Sequence, residues 1–195
     1  MVRIEIKTDW CGQPLQNEGA KIDLNYQLQN ERHHLVIDVV SPFYNDPPSP
    51  NCPPGKSCPN LWTYEVVEIF FLGKNNHYLE VELCPHGQYL LLMLSDYRKP
   101  FKDGLEIEFK AKVDDSKWKG RAWIPLEYLP PGVYKANAYA IHGSGDSTQY
   151  EAAYPANKSQ CKEPDFHRLE FFKDINLKSI IGQDLDSPSS YWKTL

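Results

Sequence analysis

The stretch "LWTYEVVEIFFLG", residues 61–73, decides the fold. In an extended chain Tyr64, Val66, Glu68, Phe70 and Leu72 share one side, and Glu65, Val67, Ile69 and Phe71 share the other. Both sides are largely apolar, which predicts a central strand covered on both faces. Glu68 interrupts that pattern between Val67 and Ile69. A carboxylate withdrawn from water without a partner costs on the order of several kcal/mol. Two answers stay open for what it faces: a buried ion pair with Arg121, Arg168 or a nearby lysine, or a bound ligand.

The next extended segment sharpens the question. In residues 78–83 Tyr78, Glu80 and Glu82 alternate with Leu79, Val81 and Leu83. If this strand pairs with 64–72 in the right register, Glu68, Glu80 and Glu82 fall on one polar stripe. Working outward, period-two alternation also predicts strands at 2–8, 22–28, 34–40, 88–94, 105–112, 119–124 and 133–141, with a last extended piece near 168–172. Pro85-His86-Gly87, Asp103-Gly104 and Pro130-Pro131-Gly132 punctuate them. Long amphipathic helical patterns are missing, and the best helix candidate is a single turn around Leu126–Leu129. The pattern is that of an all-β fold, a β-sandwich or jelly roll of about nine or more antiparallel strands. We expect the sandwich over residues 1–182 and a C-terminal tail over 183–195 whose composition suits fraying. Residues 42–60, "PFYNDPPSPNCPPGKSCPN" after Ser41, make one long Pro-rich loop, of a length usually reserved for function or mobility.

Composition narrows the function classes. The 195 residues carry a formal charge of −5, against the basic face that nucleic-acid binding needs. No apolar run approaches the ~20 residues that span a bilayer, and "MVRIEIKTDW" holds no apolar block of signal-peptide length. These features lead to an expectation of a cytoplasmic or nuclear protein with neither nucleic-acid nor membrane partners. The five cysteines, an odd and scattered set, read as free thiols. Cys52 and Cys58 bracket part of the Pro-rich loop and are the pair that would bridge under oxidation.

Five segments appear in order: "LWTYEVVEIFFLG", "HYLEVELCPHGQYLLL", "GRAWIPLEYLPPG", "YKANAYAIHG" and "DFHRLEFFKDI". Together they resemble the family 9 carbohydrate-binding module, within the wider group of DOMON-like β-sandwiches. Nearly the whole chain also resembles an uncharacterised family of intracellular animal proteins of similar length. The resemblance to the module implies two aromatic rings clamping a terminal sugar while polar side chains bind its hydroxyls. On that pattern Trp62 is the first ring and Glu68, six residues later, its adjacent carboxylate. Tyr154 in "YEAAYPAN" stands where the module usually carries a second tryptophan, and Asp165-Phe166-His167 matches a recurring element.

Sugar binding needs flat apolar faces for ring C–H groups and fixed polar groups for hydroxyls. The candidate set is therefore Trp62 and Tyr154 as platforms, Glu68 and Glu80 as acceptors, and His142 or Arg168 as donors. The competing account makes Trp62 a cap on the sandwich edge and Tyr154 a core residue. Clustered carboxylates can hold calcium, but no Asp-rich loop resembles an ion cage, and we assign no metal ligands and no cofactor. Glu80 and Glu82 as acid and base would suit a glycosidase, and nothing in their spacing fixes the required separation. "PGKS" at 54–57 lacks the upstream glycine of a phosphate loop, and "GSGDS" at 143–147 lacks a strand–elbow–helix setting. No catalytic residues are assigned. The expected function is a non-catalytic binding module for carbohydrate or glycoconjugate. The alternatives are an intracellular protein-interaction domain using the 42–60 loop or, less favoured, a hydrolase.

Overall fold

The computed structural model describes residues 1–157, 159, 160 and 162–193. In chain order the strands are β1 (Val2–Glu5), β2 (Thr8–Asp9), β3 (Lys21–Gln29), β4 (Arg32–Pro42), β5 (Val66–Leu72), β6 (Tyr78–Leu83) and β7 (Tyr89–Leu94). They continue with β8 (Pro100–Lys102), β9 (Glu108–Asp114), β10 (Lys117–Pro125), β11 (Lys135–His142), β12 (Gln149–Ala152) and β13 (Lys173–Asp174). One short helix, α1 (Lys178–Ile181), follows. Two antiparallel sheets result. The first runs β1-β3-β4-β10-β9, and the second β2-β12-β11-β5-β6-β7-β8 with β13 added at β11. The expected all-β sandwich is the fold found.

Local sequence explains the connections. Asn30 and Glu31 both take positive φ, 50° and 62°, in the two-residue turn that joins Gln29 to its ladder partner Arg32. Positive φ at both central positions is the turn whose twist matches an antiparallel hairpin. Gly87, at φ 96°, closes the β6–β7 turn within the Pro85-His86-Gly87 signal.

The core lies between the sheets. Ile22, Leu24, Ile37, Trp118 and Ile124 of the first sheet meet Ile69, Phe71, Val81 and Leu91 of the second, all essentially buried. The second sheet is covered on its other face too. There Phe70, Tyr78, Leu94 and Tyr139 pack with Cys58, Leu61, Phe166 and Phe172 from two loops. This double cover is why the 61–73 stretch is apolar on both sides.

Four sequence readings are revised. The extended piece expected near 168–172 is a 3-10 turn over Leu169–Phe171, and pairing begins only at β13. Cys52 and Cys58, read as thiols, form a disulfide with Cα atoms 5.8 Å apart, and Cys161 lies outside the described residues. Within the described part of the tail expected to fray, Trp192 docks on the sandwich. Trp192 is buried, stacks on His77 and donates from Nε1 to the Tyr128 carbonyl at 3.2 Å. The Pro-rich loop is pinned, with Gly55 N–H on the Gly87 carbonyl at 2.8 Å and Cys58 N–H on the Tyr89 carbonyl at 2.8 Å. The turn at Leu126–Tyr128 is where the pattern predicts it.

Candidate functional site

The β5–β6 register sets Glu68 directly opposite Glu82 and Phe70 opposite Glu80. All three carboxylates therefore rise from the outer face of the second sheet, and the stripe is formed. One oxygen from each lies within 4.8 Å of the others, and all three residues are buried. Among the described residues, Glu68 Oε1, Glu80 Oε2 and both Glu82 oxygens have no hydrogen-bond partner. The ion pair considered for Glu68 goes elsewhere: Arg121 binds Asp38 at 2.6 Å and Arg168 binds Glu170 at 2.6 Å.

The electrostatics follow from this crowding. Burial, reinforced by Glu80, pushes the Glu68 carboxyl well above the ordinary range. Burial does the same to Glu82, with Glu68 and Glu80 adding repulsion. Burial lifts Glu80 to about 8 against the opposing pull of Arg98.

Glu68 and Glu80 open into a pocket of about 360 Å³, within the range of small-molecule sites. Leu92 and Ile141 complete the floor, and Trp62, Tyr150, Phe166, His167 and Arg98 contribute to its walls. Trp62 sits on a single 3-10 turn, Leu61–Thr63, anchored by fully buried Leu61, and its own side chain is 43% exposed. Phe166 and His167 come from the Asp165-Phe166-His167 segment, in which each residue has a task. Asp165 accepts from Arg98 at 2.8 Å, from the Tyr97 hydroxyl at 2.6 Å and from the His167 N–H at 3.0 Å. Burial would raise its carboxyl, but these bonds outweigh it and hold the group below its usual range. Phe166 stacks on Tyr139 with centroids 4.0 Å apart and planes 8° from parallel. His167 Nδ1 lies 2.7 Å from the Tyr78 hydroxyl, which also accepts the Arg98 N–H at 3.0 Å. The hydroxyl and Nδ1 share one hydrogen bond, and when the hydroxyl is its donor the imidazole proton sits on Nε2. Burial and Arg98 push the His167 pKa down to about 4, so the ring is neutral.

No family model matches the chain. Over its length the chain is similar to the UPF0462 protein C4orf33 homolog of Danio rerio, 44% identical over 189 residues and covering 95% of this chain and 94% of the relative. It is similar to the UPF0462 protein C4orf33 of Homo sapiens at 44% over 190 residues, with 95% and 94% covered, and to the Mus musculus homolog at 44% over 188, with 94% and 96% covered. The chain belongs to the UPF0462 family. Its fold is shared with a crystal structure from Bacteroides uniformis described as a "putative carbohydrate-binding protein", at TM-score 0.63 and 10% identity, covering 89% of this chain and 85% of that one.

In this UPF0462 chain the six residues expected at a binding site separate into two groups. Trp62, Glu68 and Glu80 converge on the pocket. Tyr154, His142 and Arg168 do not line it, and each has a physical reason. The Asn137 side chain donates to the Tyr154 carbonyl at 2.9 Å and accepts its N–H at 3.1 Å. That grip turns the chain out of β12, and the Tyr154 ring packs against the core between the sheets. His142 shares strand parity with core-facing Ala136, Ala138 and Ala140, stacks on Tyr44 at 3.6 Å and meets Glu151 at 3.1 Å. Arg168 crosses the Phe171 ring at 5.2 Å on its way to Glu170. Tyr150, Phe166, His167 and Arg98 take their places in the pocket. The D-F-H element signalled two of the four in advance, and the first tyrosine of "YEAAYPAN" was a visible alternative to the second. Arg98 carried no such signal.

Proposed function

We propose that the pocket binds a small polyhydroxylated ligand of the carbohydrate class and that the chain is a non-catalytic module of the DOMON-like, family 9 type. The observation that carries this reading is the convergence of an exposed indole with buried, unpartnered carboxylate oxygens in one hollow of about 360 Å³. Trp62 offers a flat face to ring C–H groups, which is how aromatic side chains hold sugars. Ligand hydroxyls then donate to Glu68 and Glu80. Arg98 donates from the wall, and His167 Nε2 adds a polar contact whose direction follows the ring's tautomer. A ligand rich in donors is the complement that acceptors without partners require. The fold shared with the Bacteroides protein supports the same direction.

The geometry favours binding over cleavage. A glycosidase sets its two carboxyl groups on either side of the scissile bond. Glu68 and Glu80 instead rise side by side from neighbouring strands of one floor.

The test is titration of mono- and disaccharides into wild type and Trp62→Ala, by calorimetry and tryptophan fluorescence, with and without added divalent cation. A saturable wild-type response that Trp62→Ala abolishes is expected. No response to any sugar at millimolar concentration under either condition overturns the reading.

A further inference from the structure

A sugar alone does not satisfy the acids under this pocket. Hydroxyl donors can reach Glu68 and Glu80, but Glu82 lies outside the lining, is fully buried, and has neither oxygen partnered. Each of the three residues is at most 4% exposed. Arg98 acts on Glu80 from the wall but is committed to Asp165 at 2.8 Å. No donor among the described residues reaches the orphaned oxygens. Backbone N–H groups cannot help, because β5, β6, β7 and β11 use theirs in continuous ladders across this face.

We propose that Glu68, Glu80 and Glu82 form a site for a hard divalent cation of the calcium class, seated under the pocket with coordination positions left open to the hollow. The donor set is all oxygen, with no imidazole or thiolate in the cluster, which selects calcium or magnesium over zinc. Size agrees as well. Calcium–oxygen bonds of about 2.4 Å place ligand oxygens up to about 4.8 Å apart across the ion. The three oxygens here lie within 4.8 Å of one another, so shifts of a few tenths of an ångström complete the set. The sheet holds them there: Glu68 and Glu82 are ladder partners, and Glu80 is two residues along the same strand. The raised proton affinity of all three groups has the same origin, burial beside other acids. Resting on the carbohydrate reading, the open positions are filled by neighbouring hydroxyls of the bound sugar.

The experiment uses the full chain, stripped with EDTA and titrated with calcium chloride and then magnesium chloride, by calorimetry and thermal melting. About one ion per chain and a higher melting temperature at saturation are expected. Glu82→Gln is isosteric and does not line the pocket, and it should weaken calcium binding at least tenfold. Glu68→Gln should do the same, and serves if the first variant fails to melt cooperatively. Absence of heat and of any melting shift at millimolar calcium and magnesium overturns the site, as does equal binding by wild type and both variants. A monosaccharide added to calcium-loaded and EDTA-treated protein separates the two proposals. Calcium binding with no sugar response keeps the cation site and sinks the carbohydrate reading. A sugar response identical in EDTA keeps the carbohydrate reading and removes the cation from it.

Discussion

Glu65 and Glu68 belong to one short stretch, and both are buried, yet the fold treats them in opposite ways. Glu65 precedes the first residue of β5 and faces the start of the Pro-rich loop. There it accepts the backbone N–H groups of Tyr44 at 3.1 Å and Asn45 at 2.7 Å. Burial raises its carboxyl, and those two bonds pull it back. Glu68 sits in mid-strand, where every neighbouring N–H belongs to a ladder, so only side chains can answer it. The side chains opposite and diagonal are carboxylates. The lesson is that burial does not define the role of a carboxylate. The supply of spare donors does, and that supply is rich beside a loop and absent inside a sheet.

The strongest way to break the comparison is Glu65→Ala. If Glu65 is a structural clamp, its removal leaves two buried N–H groups unanswered and frees the loop. A loss of about 3 kcal/mol follows, since hydrogen bonds to charged groups contribute about 1.5–3 kcal/mol each. Chemical denaturation measures it. An unchanged midpoint would make Glu65 as dispensable to the fold as the stripe.

The pocket wall allows a second test, by pH. The His167 pKa is depressed to about 4, below the ordinary value near 6.5. Between those values the unfolded chain binds the proton and the folded chain does not, so stability falls as pH falls. From pH 6.5 to 5 this group should remove about 1.5 kcal/mol. The raised carboxyls of the stripe pull the other way, because in this window the fold holds protons that the unfolded chain has lost. The readout is therefore the difference between wild type and His167→Gln, whose slope with pH should lack the histidine contribution.

The stripe should answer with the opposite sign to Glu65. In EDTA at alkaline pH, where the folded chain must ionise the raised Glu82 carboxyl, Glu82→Gln removes that buried charge and should raise stability by about 1 kcal/mol, as neutral replacements of buried ions often do. In saturating calcium the order should reverse, because wild type then gains binding free energy that the variant loses. Thermal melts of both proteins in the two buffers decide it. A variant less stable than wild type in EDTA would place Glu82 beside Glu65 as a structural acid.

How much of this was legible follows from the range of the interactions involved. Strands of six or more residues, such as 78–83, show their period, and the Glu68–Glu80–Glu82 stripe followed from parity once a register was assumed. The two- to four-residue strands β2, β8, β12 and β13 are too short to display alternation and exist because a neighbour accepts them. Tyr150 lines the pocket where Tyr154 was expected, because Asn137, 17 positions before Tyr154, grips the chain there, and nothing local reveals that contact. Arg98 was out of reach for a similar reason. It lies in a loop at φ 51°, and its partner Asp165 is 67 positions further on. Backbone pattern is local and readable, whereas a pocket assembled from loops depends on contacts that only the closed fold creates.

The smallest expected change in stability belongs to Trp62 and bears most on function. Its side chain is 43% exposed, while its neighbour Leu61 is fully buried and holds the turn. Trp62→Ala should therefore shift stability by less than about 0.5 kcal/mol, as exposed positions generally do. Leu61→Ala, at a buried site, should cost about 2–5 kcal/mol. An exposed indole kept above unpartnered acids gains nothing for the fold, so its loss should register only where a ligand is present. If Trp62→Ala instead destabilised the chain as much as Leu61→Ala, the ring would be a lid on the outer core. The contrast between acids held for structure and acids held for a ligand would then lose its aromatic half.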